Sequence, residues 1–134
     1  MQISHFLLPK EQVTYVSSKA SMLEALEQLE RHPYSAIPII DEQGKYVGTL
    51  SEGDLLWKLK NAFNLDFEAM RHVPLTDIQR RVHNESVVIT ANMEDMLNRA
   101  ADQNFVPVID NEGMFLGIIR RKDIIEYYND TITD

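Results

Sequence analysis

The sequence has no cysteine and no long apolar run, and each absence narrows what the chain can be. Without cysteine there can be no disulfide, no thiolate metal site and no cysteine nucleophile. The apolar stretch at residues 6–8 is far shorter than the ~7–15 residues of a signal-peptide core or the ~20 residues of a membrane span. We therefore expect a cytoplasmic protein.

Positive charge is also scarce. Thirteen Lys and Arg residues face 21 Asp and Glu residues, which gives a formal net charge of −8. Such a charge opposes non-specific binding to nucleic acid or to anionic lipid, so we expect neither as a partner. The 134 residues, 44% apolar and 25% charged, have the composition of an ordinary globular chain with one compact unit or two small ones.

An internal repeat organises this chain. Residues 40–56 align without a gap with residues 109–125, at an offset of 69. Pro38 and Pro107 keep the same offset upstream. The identical positions of the first copy are Ile40, Asp41, Gly44, Gly48 and Asp54. A duplication therefore determines the architecture.

Each copy predicts the element order β-α-β-β-α. A short strand (residues 13–16 or 87–90) precedes an amphipathic helix capped by Ser21 or Asn92. A proline-bearing strand (36–40 or 105–109), a turn (41–44 or 110–113), a strand (46–50 or 115–119) and a second helix follow. A unit of about sixty residues has little core of its own, so we expect the two to pack together.

The expected fold class is thus mixed α+β or α/β, with two β-α-β-β-α units packed as a pseudo-twofold pair. The repeat places the first unit at residues 1–62, a connector at 63–74 and the second unit at 75–134. The connector mixes apolar residues with charged ones, which favours an ordered segment over a flexible linker.

This pattern resembles the tandem CBS domain, or Bateman module, a regulatory module that commonly binds adenine nucleotides. The resemblance is carried by residues 34–41 and 48–54 in the first copy and by residues 105–110 and 117–123 in the second. It implies a pseudo-twofold pair of CBS units, a cleft with up to two nucleotide sites, and often a dimer. Within the family, the chain is similar to short stand-alone bacterial CBS proteins, some of which bind cyclic di-AMP.

The second copy carries the residues best suited to a nucleotide. A strand there is followed by a helix, whose first turn exposes unpaired N–H groups that favour an anion. Arg120, Arg121 and Lys122 lie at this junction and suit a phosphate, while Asp123 can accept hydrogen bonds from ribose hydroxyls. The alternative is a solvated basic turn in which Asp123 only stabilises the start of the helix.

The first copy has the same strand-to-helix segment, but its side chains there carry a different charge. Ser51 and Asp54 occupy the phosphate and ribose positions, whereas Glu52 and Gly53 stand where the second copy has Arg121 and a lysine. A carboxylate repels a phosphate, so we expect two unequal sites, the first-copy one being weak, empty or tuned to a nucleoside.

The resemblance implies that each site combines one copy's motif with the other copy's first strand and pre-proline segment. Tyr34 would stack on the adenine, although helix-to-strand packing explains it equally well. The strong site would comprise Thr14, Tyr34, Ser35, Ala36, Arg120, Arg121 and Asp123. The weak site would comprise Ser51, Asp54, Val88, Asn104 and Phe105.

No residue set suggests catalysis or a resident metal. The four histidines are scattered without ligand spacing, and nucleophile-elbow, Walker and dinucleotide motifs are missing. The sequence predicts a non-enzymatic, homodimeric sensor of AMP, ADP, ATP or cyclic di-AMP, with no cofactor beyond this regulatory ligand. It would signal through its conformation or an unknown target protein. The alternative is a ligand-free dimeric scaffold for protein interaction.

Overall fold

A computed structural model describes residues 2–32, 35–62, 65–80 and 83–133, with side chains through residue 130. The strands are β1 (Leu8–Pro9), β2 (Val16–Ser17), β3 (Ala36–Ile40), β4 (Tyr46–Ser51), β5 (Val87–Val88), β6 (Phe105–Ile109) and β7 (Phe115–Arg120). The α-helices are α1 (Met22–Arg31), α2 (Glu52–Asn61), α3 (Phe67–Met70), α4 (Met93–Asp102) and α5 (Arg121–Thr133). The orders β2-α1-β3-β4-α2 and β5-α4-β6-β7-α5 confirm the predicted mixed fold of two β-α-β-β-α copies.

The chain divides by contact into two compact units. One unit is Thr14–His83, and the other combines Met1–Val13 with Asn84–Asp134. The repeat had suggested the divisions 1–62, 63–74 and 75–134. Contacts instead group residues 1–13 with the second copy, and they place Leu75 and Ile78 in the core of the first.

The first unit is built on the three-stranded sheet β2-β3-β4. Strand β2 runs parallel to β3, and β3 runs antiparallel to β4. Four of the five residues of β3 are buried, as expected for an almost continuous apolar run between other elements. The core includes Met22, Ile37 and Leu50, and Met70 from the connector helix α3 packs against them.

The second unit has the same three strands and one more at its edge, in the order β1-β7-β6-β5. The added strand β1 pairs antiparallel with β7, Leu8 lying opposite Ile118. Ile3 and Phe6, which precede it, are buried in the same core as Met96 and Ile119. The N-terminal segment is thus an integral layer of this unit.

Both hairpin turns form where the sequence predicts them. Asp41 and Asp110 each use Oδ1 to accept two backbone N–H groups of the following residues. Gly44 and Gly113 have φ of 88° and 87°, a conformation that residues with a Cβ rarely adopt. The turns are therefore fixed by two residues that the copies share.

The helix caps are confirmed, whereas the first strand of each copy is shorter than predicted. Ser21 Oγ accepts from Glu24 N at 3.2 Å, and Asn92 Oδ1 accepts from Asp95 N at 2.8 Å. The strand predicted at 13–16 is observed at Val16–Ser17, and the strand predicted at 87–90 at Val87–Val88. Each makes only two ladder pairs before the chain turns toward its helix. Among the described residues, no helix combines the length and apolarity needed to cross a bilayer.

Candidate functional site

The two strand-to-helix junctions share one backbone frame. At β4–α2, Glu52 N donates to Ser35 O at 2.9 Å, and at β7–α5, Arg121 N donates to Asn104 O at 2.9 Å. These four residues are related by the repeat offset of 69. Differences in chemistry between the junctions therefore come from their side chains.

At the first junction, two side chains pair with backbone N–H groups at the start of α2. Asp54 N donates to Ser51 Oγ at 3.2 Å, and Ser51 N donates to Asp54 Oδ2 at 2.9 Å. This reciprocal arrangement is a capping box. Asp54 is only 1% exposed, so its carboxylate lies in the interior of the unit.

At the second junction, arginine replaces the capping serine. Arg120 Nε donates to Asp123 Oδ2 at 2.7 Å, and Arg120 Nη2 donates to Asp123 Oδ1 at 3.1 Å. The two side chains are 33% and 24% exposed, so solvent screens this two-pronged ion pair only in part. An arginine has no acceptor, so position 120 cannot cap α5 as Ser51 caps α2.

Arg121 points its guanidinium at the end of α4. Its Nε donates to Ala100 O at 2.7 Å, its Nη2 to Ala101 O at 3.4 Å and its Nη1 to Asn104 Oδ1 at 3.3 Å. A cation at a helix C-terminus stabilises the helix dipole and its last carbonyls. The predicted phosphate contact of Arg121 stays a prediction, and these three bonds leave two of its five N–H groups for such a contact.

Lys122 is the remaining basic residue of the motif. Its side chain is exposed, and within the described parts of the chain no hydrogen bond or ion pair holds its ammonium group. It therefore differs from Arg120 and Arg121, whose guanidinium groups already have acceptors.

An open cavity of about 430 Å³ in the second unit borders the Arg120–Asp123 pair. One wall is the N-terminal segment, and the other is the face of α5 that follows Asp123. The lining residues are His5, Phe6, Leu7, Leu8, Arg120, Asp123, Glu126, Tyr127 and Asp130. Phe6 and Tyr127 meet edge to face, with ring centroids 5.3 Å apart.

Sequence reasoning did not predict the N-terminal wall of this cavity. Residues 5–8 precede the aligned repeat, and they carry no motif that points to a site. Their place is set by the pairing of β1 with β7, which neither periodicity nor composition indicates in a two-residue strand.

The structure brings the pre-proline segment of each copy beside the junction of the same copy. Ala36 pairs with Ser51, and Phe105 pairs with Arg120. Asn104 is exposed and accepts from Arg121, as described above. The predicted sites combine segments of both copies, and that combination stays a prediction.

The other predicted site residues are distributed over the two units. Thr14 is half-buried just before β2, and Ser35 is exposed at the start of β3. Val88 is half-buried in β5, where it pairs with Ile109. Tyr34 lies outside the described residues.

Comparison with known families gives the class of the protein. The model of the CBS domain matches residues 3–61 and again residues 76–130. The chain belongs to the CBS domain family and carries two copies of the domain, which confirms the resemblance found in the sequence.

Similar proteins include ones named for cyclic di-AMP. The crystal structure of CbpB in complex with c-di-AMP superposes with a TM-score of 0.86 at 26% identity, covering 100% of this chain and 88% of that one. Cyclic di-AMP receptor B of Bacillus subtilis (strain 168) is 24% identical over 132 residues, 95% of this chain and 86% of the receptor.

Another relative is named as an enzyme. L-aspartate semialdehyde sulfurtransferase of Methanocaldococcus jannaschii is 28% identical over 124 residues, 88% of this chain but only 21% of that protein. The chain spans 65% and 62% of the length of two further curated relatives that it matches. The likeness to these proteins therefore concerns the CBS pair and not their whole length.

Proposed function

We propose that this chain is a non-catalytic regulatory module that binds an adenine nucleotide at its second strand-to-helix junction. The observation that carries the proposal is the difference between the two junctions. The first is closed by the Ser51–Asp54 capping box, whereas the second has no capping side chain at position 120 and adds Lys122. Cyclic di-AMP is the first ligand to test, because it is named with two of the similar proteins.

A phosphate group suits this second junction for three physical reasons. The N–H groups in the first turn of the 13-residue helix α5 carry the positive end of its dipole. The exposed ammonium of Lys122 adds a full positive charge in a chain whose net charge is −8. The Arg120–Asp123 pair is neutral as a whole, so Asp123 does not repel the phosphate as an isolated carboxylate would.

The nucleoside part would use Asp123 as the acceptor for its ribose hydroxyls. The proposal keeps Thr14, Tyr34, Ser35 and Ala36 as the adenine-binding residues that the family resemblance assigns to this ligand. Their role rests on that resemblance. Substituting Ala36 with a bulky residue tests the adenine-binding role without changing the residues of the second junction.

The first junction should bind a phosphorylated ligand weakly. The N–H group of Asp54 already has Ser51 Oγ as its acceptor, and the buried Asp54 side chain accepts from Ser51 N. Glu52 adds an exposed negative charge to the first turn of α2. We therefore propose unequal sites, with the second junction dominant.

We also propose that the protein is cytoplasmic and acts as a homodimer, and its exposed apolar residues support the dimer. Leu56 on α2 and Ile125 on α5 are 60% and 50% exposed and occupy equivalent positions of the repeat. Trp57 and Tyr128, at 39% and 41%, extend the two exposed surfaces. The same observation favours the second candidate function, a dimeric scaffold for protein interaction that binds no nucleotide.

Isothermal titration calorimetry tests the proposal and separates the two functions. Cyclic di-AMP, AMP, ADP, ATP and S-adenosylmethionine are titrated into the wild-type protein, then into the variants Lys122→Ala and Lys45→Ala. Lys45 is an exposed lysine of the first unit, so its loss matches the change in net charge. We expect Lys122→Ala to weaken the phosphorylated ligand about 10-fold or more, as for a lost hydrogen bond to a charged group.

Lys45→Ala should leave the affinity within about twofold of wild type, since Lys45 belongs to neither proposed site and the charge of an exposed lysine is screened by salt. If none of the five compounds binds the wild-type protein at millimolar concentration, the nucleotide function is wrong and the scaffold is favoured. If both lysine variants weaken binding equally, general charge rather than the second junction attracts the ligand.

A further inference from the structure

We infer that Arg120 is a specificity-determining residue, which makes the second junction select a phosphorylated nucleotide over the bare nucleoside. This inference rests on the proposed function and adds a mechanism of selection to it. It comes from the geometry of the Arg120–Asp123 pair and from the serine that stands at the equivalent position of the first copy.

The ion pair occupies the atoms that a ribose would need. Both oxygens of Asp123 accept from Arg120, at 2.7 and 3.1 Å. Ribose hydroxyls seeking the same carboxylate must compete with a charged donor in a two-pronged arrangement, which is stronger than a neutral hydrogen bond. Binding of a ribose therefore requires the guanidinium to shift or to share its acceptor.

Displacing Arg120 is costly unless it finds another anion. Its side chain is only 33% exposed, so water does not fully replace the lost carboxylate. A phosphate attached to the ribose is such an anion, and a guanidinium can bind two of its oxygens at once. AMP brings the replacement partner with it, whereas adenosine does not.

The first copy has an uncharged residue at the position equivalent to Arg120. Ser51 N donates to Asp54 Oδ2 and Ser51 Oγ accepts from Asp54 N, so position 51 places no guanidinium against the aspartate. A serine at position 120 would free Asp123 from a charged competitor and could cap α5 in the same way. Arg120→Ser therefore replaces the arginine of the second junction with the serine of the first.

The affinity ratio of AMP to adenosine tests this inference, since the two ligands differ only in the phosphate. Both are titrated calorimetrically into wild-type protein, Arg120→Ser and the control Arg71→Ser, an exposed arginine of the first unit with a surface ion pair. We expect Arg120→Ser to bind adenosine more tightly than wild type and AMP more weakly. The ratio should fall about 10-fold or more, the factor for one charge-assisted hydrogen bond, while Arg71→Ser keeps the wild-type ratio.

The inference is wrong if Arg120→Ser keeps the wild-type ratio, whether both affinities are unchanged or fall together. Cyclic di-AMP is titrated in parallel. Binding of this ligand or AMP to wild type, weakened by Lys122→Ala, supports the proposed function even when the ratio test fails. If neither compound binds wild type or any variant, the proposed function itself fails. Should Arg120→Ser not fold, which urea denaturation reveals, Arg120→Gln carries the same test with a longer neutral side chain.

Discussion

Replacing Arg121 with alanine should destabilise the ligand-free protein, and this is the sharpest consequence of the side-chain geometry. The short bond from Arg121 Nε to Ala100 O, at 2.7 Å, joins a charged donor to the C-terminal end of α4. Such bonds contribute about 1.5–3 kcal/mol, and a cation at a helix C-terminus adds about 0.3–1 kcal/mol. Because the side chain is only half-buried, we expect a loss of about 1–2 kcal/mol in the free energy of unfolding.

Urea denaturation monitored by circular dichroism measures this loss. With a slope of about 2 kcal/mol per molar urea, the middle of the usual range, the midpoint should fall by roughly 0.5–1 M. Lys122→Ala is the matched comparison, since the neighbouring ammonium is exposed. Its free energy of unfolding should stay within the ~0.5 kcal/mol of wild type that is typical of surface substitutions. Arg121→Lys should recover only part of the stability, because an ammonium keeps the charge but not the planar fork.

The opposite pattern would refute the reasoning. If Arg121→Ala leaves the urea midpoint unchanged and yet lowers the affinity for a nucleotide more than about 10-fold, the guanidinium binds the ligand and does not stabilise α4. Arg121 would then hold the phosphate role that the sequence alone suggests for it.

Three further predictions concern stability and pH. Gly117→Ala should lower the melting temperature more than Gly48→Ala. Gly117 has a φ of +154°, and a Cβ there would meet the backbone of β1, whereas a Cβ at Gly48 would meet the guanidinium of Arg80, which can move. Equal losses in melting temperature would contradict this. Gln103→Leu should lower the free energy of unfolding, measured by urea denaturation, by about 3 kcal/mol, since the buried amide makes three hydrogen bonds worth about 1 kcal/mol each. A change below about 1 kcal/mol would contradict this. Burial raises the pKa of the Tyr46 hydroxyl above its usual value near 10, and the hydrogen bond with Thr49 and the charge of Arg80 offset part of this rise. The contribution of Tyr46 to stability is therefore complete below about pH 10 and is lost as the pH rises through the folded-state pKa. Tyr46→Phe should flatten the fall of the melting temperature above that pH, and superimposable curves for the two proteins would contradict this.

Much of the fold could be predicted because the determining interactions are local. The aspartates that begin the two hairpin turns bond to backbone groups two and four residues later, and Gly44 and Gly113 supply the positive φ. The caps at Ser21 and Asn92 act over three residues. Interactions of this range can be predicted from particular residue types at fixed spacings, and a repeat contains each of them twice.

The parts that could not be predicted depend on long-range approach. The bond from Arg121 to Ala100 spans 21 residues, and the pairing of Leu8 with Ile118 spans most of the chain. Aligning Ser51 with Arg120 shows that the residue changed but not which acceptor the new guanidinium takes. The sequence could therefore indicate the junction as the candidate site while leaving open how its three basic residues divide their roles.

The most direct test of the central claim is the calorimetric titration of cyclic di-AMP into wild-type protein and into Asp123→Asn, with the exposed Asp77→Asn as control. The account predicts saturable binding to wild type, at least about 10-fold weaker binding to Asp123→Asn, where an acceptor oxygen is replaced, and wild-type affinity for the control. Binding that Asp123→Asn leaves unchanged would contradict the claim that the nucleotide occupies the second strand-to-helix junction.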